Sequence, residues 1–149
     1  MRFSVFSLTL FLLLSLAGCE APVATHEEEV PLRFYRWTPG GEVPPEVLSG
    51  PPLRVQVLLY RQGAEASAHL RAQGGLPAEG EAVLFLEGAG GERVAEGYSN
   101  GRPFVEVRGR AGRPACAWWS VLFSPDPWRQ EDAEARLYQA HGRVCEGER

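Results

Sequence analysis

The sequence predicts an all-β protein, an antiparallel β-sandwich of about seven to eight short strands that leaves room for one short helix near the carboxy terminus. Three observations carry that expectation. Apolar side chains recur with a period near two, glycine, proline and asparagine punctuate the chain at short intervals, and the strands are apolar on one side only. One-sided sheets must cover their apolar faces, and two sheets packed face to face do so. A small β-barrel satisfies the same pattern.

The first strand is expected at Leu32–Thr38. In 53–61, Leu53, Val55, Val57 and Leu59 alternate with Arg54, Gln56, Leu58 and Tyr60, a strand period rather than a helical one. In 64–72, Ala66, Ala68 and Leu70 oppose Glu65, Ser67, His69 and Arg71; alanine favours helix, but the period favours strand. Ala82–Glu87 is a compact apolar run, Gly88–Gly91 a turn, and Arg93–Ser99 the returning strand. Asn100-Gly101 tolerates positive φ at both residues and predicts a tight hairpin to a strand holding Phe104, Val105 and Val107. After the turn region 109–114 comes the most apolar strand, Ala115–Phe123. Beyond it, Asp126-Pro127 could cap a helix ended by Gly142, but a short helical turn followed by a last strand over 135–145 is the favoured alternative.

The amino terminus says where such a domain goes. Met1-Arg2, an apolar stretch from Phe3 to Leu16 and the small residues Ala17-Gly18 have the layout of a secretory signal. Serine and threonine interrupt the stretch, and it is shorter than the roughly 20 residues a spanning helix requires. Leu16-Ala17-Gly18-Cys19 resembles the lipobox of bacterial prolipoproteins. That resemblance covers only the first 19 residues. It implies cleavage before Cys19, lipid on its sulfur and a membrane as partner; Glu20, where an aspartate would favour inner-membrane retention, implies the outer membrane of a two-membrane bacterium. The expected organisation is a signal peptide at 1–18, a lipidated start with a flexible acidic tether at 19–31, and one β domain at 32–149. The domain's strand spacing loosely resembles immunoglobulin-like, fibronectin-like and transthyretin-like modules of the bacterial envelope.

The formal charge of −4 becomes −5 once Arg2 is removed, and carboxylates and arginines are interspersed. Nucleic-acid binding, which needs a basic face, is not expected. Lysine and isoleucine are absent and Asn100 is the only asparagine, a bias that fits a GC-rich genome rather than a function.

With Cys19 committed to lipid, Cys116 and Cys145 form an even pair in an exported chain and predict a disulfide. The competing reading pairs Cys145 with His141 as a reactive thiol, but no third ligand or orienting acid stands at a recognised spacing. His26 beside Glu27, Glu28 and Glu29 could capture a metal weakly, though an acidic tether explains the run, and no metal or other cofactor is expected. The sequence holds no serine elbow, no His-Glu-x-x-His helix and no acid pair in a defined context, and Gly88–Gly91 lacks the spacing and lysine of a phosphate loop. Adjacent Trp118 and Trp119 must point to opposite sides of a strand. Ala117, Trp119, Val121 and Phe123 make the apolar face, which leaves Trp118 either exposed near Tyr138 as a stacking platform or packed on the disulfide under a loop. The functional expectation is a monomeric, non-enzymatic binding or assembly module whose partner is an envelope protein or polysaccharide. The alternative is an envelope enzyme or carbohydrate-binding auxiliary domain using Trp118, Trp128 or Tyr138.

Overall fold

The structure, a computed structural model, describes residues 21–129 and 131–148. The signal peptide at 1–18 and the lipobox with Cys19 lie outside the described residues. The described chain is all-β: β1 (Ala24–Val30), β2 (Arg33–Thr38), β3 (Gly41–Val47), β4 (Leu53–Gln62), β5 (Glu65–Gly74), β6 (Glu79–Glu87), β7 (Arg93–Tyr98), β8 (Phe104–Arg110), β9 (Cys116–Ser124) and β10 (Glu134–Cys145). They form two antiparallel sheets, a four-stranded one in the order β1-β4-β5-β8 and a six-stranded one in the order β3-β2-β10-β9-β6-β7. The sandwich expectation holds, and no closed barrel is formed.

Alternation dictates which side chains meet between the sheets. Val55, Val57, Leu59, Ala68 and Leu70 of the small sheet are buried against Ala82, Leu84, Leu86, Ala117, Trp119 and Val121 of the large one. Each fully buried leucine or valine contributes about 1.5 to 3 kcal/mol relative to an exposed one. The apolar face predicted for the Ala115–Phe123 strand is thus the inner face of β9. On β10, Gly142 sits opposite Trp119, and a Cβ there would stand 2.9 Å from atoms of the indole. The missing side chain is what lets the largest core residue lie flat against the neighbouring strand.

Four expectations are corrected. The expected flexible tether at 19–31 contains β1, paired with β4 from Ala24↔Leu59 to Val30↔Leu53. A further strand, β3, runs along the outer edge of β2 with every residue exposed. Asn100 and Gly101 do have positive φ, 51° and 78°, but the strands on either side do not pair with each other. β7 pairs with β6 and β8 with β5, so the turn carries the chain from one sheet to the other instead of closing a hairpin. Among the described residues no helix forms near Asp126; the Asp132 N–H donates to the Arg129 carbonyl at 3.0 Å, and the last strand follows.

The loop between β9 and β10 folds over the outer side of the large sheet. Tyr35, Ala135 and Leu137 are buried there in a second, smaller cluster, with Trp37, Leu122 and Trp128 packed on it. Arg136 makes a bidentate pair with Asp126, at 2.7 and 2.9 Å, that fixes the loop to β10.

Candidate interaction surface

Successive residues of a strand face opposite sides, so the pair that buries Trp119 turns Trp118 outward. Trp118 is 37% exposed on the outer face of the large sheet. Its indole N–H donates to Glu87, and the Arg143 guanidinium lies 5.3 Å from the ring centroid. The register places Phe85 beside Trp118 on the next strand and Glu96 beside Phe85 on the one after. Arg93 covers the Phe85 ring at 3.9 Å and also pairs with Glu96 at 3.0 Å. One row along, Ser120, Val83 and Tyr98 stand side by side, with Tyr98 52% exposed.

These contacts orient the aromatic rings. The Tyr98 hydroxyl donates to Glu96; this bond, then the one from Arg93, holds the Glu96 carboxyl below its ordinary value, and the same carboxylate pushes the Tyr98 phenol up. The patch therefore keeps a carboxylate with both its partners and a protonated phenol at neutral pH. Arginines lie on two of its rings, as guanidinium groups do on aromatic faces. The arrangement is a set of aromatic rings on one sheet face, interleaved with and partly covered by charged and hydrogen-bonding groups.

The other aromatic candidates lie elsewhere. Tyr138 is fully buried and belongs to the core, on the opposite face of the sheet from Trp118, which corrects the idea of a joint platform. Its hydroxyl donates to the Pro51 carbonyl at 3.0 Å and accepts from the Leu76 N–H at 2.9 Å. Trp128 is half-buried in the satellite cluster, and its indole nitrogen is buried without a partner. It anchors the loop after β9.

Cys116 and Cys145 are directly opposed on β9 and β10 and are joined by a disulfide, with Cα atoms 4.1 Å apart. The sulfurs are thus committed to structure, and His141 points from the exposed side of β10. His26 does not gather the neighbouring glutamates. Alternation along β1 sends Glu27 and Glu29 to one face and His26, with Glu28 alone of the run, to the other, where the His26 ring lies 5.3 Å from that of Trp119. Among the described residues no group of three or more histidine, cysteine or acidic side chains could hold a metal.

Sequence reasoning missed one buried charged network. Arg61 at the end of β4 and Glu146 just after β10 pair with side chains only 4% and 13% exposed. Arg61 also donates to the Ala111 carbonyl at 2.6 Å, and Glu146 accepts from the Ala115 N–H at 3.0 Å. Burial pushes the Glu146 carboxyl up, but the hydrogen bonds from Arg61 and Ala115 outweigh it and leave its pKa below the ordinary value. A signal was available in β4, because Arg61 continues the inward set Leu53, Val55, Val57, Leu59.

On the outer face of the small sheet, Glu27, Glu29, Arg54, Gln56, Arg71 and Gln73 line an open polar groove. Gln56 donates to Glu27 at 2.9 Å and Arg54 lies 3.6 Å from Glu29, so much of this polarity is spent internally. The outer face of the small sheet is thus polar along this groove, although Leu58, Tyr60 and Phe104, the last 50% exposed, lie on the same face. Comparison of the chain with family models, with characterised proteins and with solved structures finds no match.

Proposed function

We propose that the protein is a lipid-anchored component of the bacterial cell envelope, held by Cys19 at a membrane, the outer one where the organism has two. Its β-sandwich acts as a binding or assembly module rather than as an enzyme. The observation that carries the binding role is the outer face of the large sheet, where Trp118, Phe85, Val83 and Tyr98 form one solvent-facing patch with Arg93 and Arg143 laid on its rings. Hydrogen bonds to Glu87 and Glu96 orient the indole and the phenol before any partner arrives. Such preorganisation reduces the entropy that association costs.

A photoreactive amino acid placed at Ser120 in cells, followed by identification of what is captured, tests the role and the face together. Specific adducts from Ser120, with none from Ser67 on the small sheet, are the expected result. Capture from Ser67 alone would move the function to the other face. A sugar polymer is the second reading, favoured by an exposed indole whose N–H already rests on a carboxylate. Retention on insoluble envelope polysaccharide that disappears in Trp118→Ala would select it.

A further inference from the structure

We infer that the end of the sandwich nearest Cys19 rests on the phospholipid head groups, so that the domain is seated on the bilayer rather than suspended above it. This rests on the lipid-anchor reading and adds to it a contact surface, an orientation and a ligand chemistry. The first observation is the shortness of the leash. The Val23 N–H donates to the Leu59 carbonyl at 2.8 Å, and β1 begins at Ala24, so only Glu20, Ala21 and Pro22 separate the lipidated residue from the fold. Four residue steps reach at most about 14 Å. The sandwich is longer than that, since the ten residues of β4 extend roughly 33 Å. The end holding Ala24 is therefore kept at the membrane surface, and the opposite end, with Leu53 and Gly74, is kept away from it.

The second observation is what that end displays. β8 runs towards it and leaves it through Arg108-Gly-Arg-Ala-Gly-Arg113, with Arg108, Arg110 and Arg113 all exposed. Among the described residues Arg110 and Arg113 make no ion pair, and Arg108 makes one distant contact of 3.9 Å with Glu106. Glu65 opposite Arg110, together with Glu87, Glu92 and Glu148, supplies carboxylates of the same end; Glu87 accepts from Trp118, Glu148 lies 3.9 Å from Arg143, and Glu146 is already taken by Arg61. Three arginines within six residues stand out in a chain whose formal charge is −4. Guanidinium groups match phosphate oxygens with paired hydrogen bonds, and an anionic lipid surface attracts basic segments held within a Debye length. A leash this short holds them there.

The test uses the lipoprotein purified from a producing bacterium and reconstituted into vesicles of phosphatidylglycerol and phosphatidylethanolamine that contain a phospholipid with a photoreactive head group. Adducts should map to 62–65, 88–92 and 110–114. Their yield should fall several-fold in Arg110→Gln/Arg113→Gln, and the bias should vanish when a flexible insert of about twelve residues separates Pro22 from Val23. Adducts spread evenly, or centred on 49–51 and 99–103, would overturn the seating. So would equal yields from the arginine variant and the wild type, or protection of the same loops of unlipidated protein by inorganic phosphate alone, which would identify a site for a free anion. The intact mass of the same preparation separates the two ideas: an unmodified Cys19 refutes the anchor, whereas a lipidated Cys19 with misplaced adducts refutes only the seating.

Discussion

At one end of the sandwich the sheets are joined by the Arg61–Glu146 network beside the Cys116–Cys145 bond; at the other, the Tyr138 hydroxyl spans from β10 to the backbone of Pro51 and Leu76. Both ends solve the same problem. Where strands finish, loop backbone groups must be satisfied without water if the core below is to stay dry. The end holding Ala24 does this with the paired charges of Arg61 and Glu146, beside a covalent cross-link, and the far end with one phenol and two main-chain groups. The difference teaches that equal burial does not mean equal sensitivity, because only the first end carries the disulfide and the charged pair whose side chains are 4% and 13% exposed, whereas the Asp126–Arg136 pair of the far end stands in solvent.

The largest effect expected from breaking this comparison is that of Arg61→Ala. Removing one partner leaves Glu146 buried beside an empty site, which costs on the order of 3 to 5 kcal/mol, whereas replacing both residues with leucine should restore only part of the loss, because the Ala111 carbonyl and the Ala115 N–H lose their partners. Denaturant titration of the single and double variants measures it, and equal stabilities would show that the pair is solvated. Next comes loss of the disulfide. Closing a loop of 29 residues stabilises by roughly 3 to 4 kcal/mol in the chain-entropy model, so reduction or Cys145→Ser should lower the unfolding midpoint accordingly. Two free thiols titrating in the native protein would contradict the bond.

At the far end, Tyr138→Phe keeps the ring and removes the hydroxyl, leaving the Leu76 N–H without its acceptor at a cost of about 1 to 3 kcal/mol. Amide exchange at Leu76 should accelerate while that at Ala115 stays slow; equal acceleration at both ends would show that the closures are one cooperative unit. Acid should produce the reverse order. The Glu146 pKa is lowered from 4.5, so the stability it contributes is present above that value and is lost as pH falls through its folded pKa. Opening at Ala115 ahead of Leu76 below pH 4.5 is the expected exchange pattern. The smallest effect is that of Trp118→Ala, a surface change expected to alter stability by about 0.5 kcal/mol or less while abolishing capture at the aromatic face.

The same physics decides what could be read in the chain. β4, β5 and β9 lie where alternation governs, with one side in the core and one in solvent, and their inner residues were identifiable one by one. β1 escaped notice because only Ala24 and Val30 of it are buried while the remainder is threonine, histidine and glutamate. Its pairing comes from the backbone of β4. β3 carries Pro44-Pro45 and buries nothing, a composition tolerated at a sheet edge and indistinguishable from a loop in one dimension. Asn100-Gly101 revealed its dihedrals but not which strand would follow on which sheet, because two φ values do not encode a crossover. On the candidate surface, Trp118 and its partner Trp119 could be separated by parity, whereas Tyr138 could not be assigned until the register of β10 was known. Pairing Arg61 with Glu146 spans 85 residues and has no local signature beyond an inward-facing arginine.

The central claim is that this sandwich works from a lipid anchor, and the most direct measurement is the intact mass and amino-terminal fragmentation of the protein extracted from membranes of a bacterium that expresses the full chain. The account predicts a mature chain that starts at Cys19 with a diacylglyceryl thioether on its sulfur, and it predicts that Cys19→Ser yields a protein with no lipid. A mature chain that begins at another residue, or a Cys19 free of lipid, would contradict it.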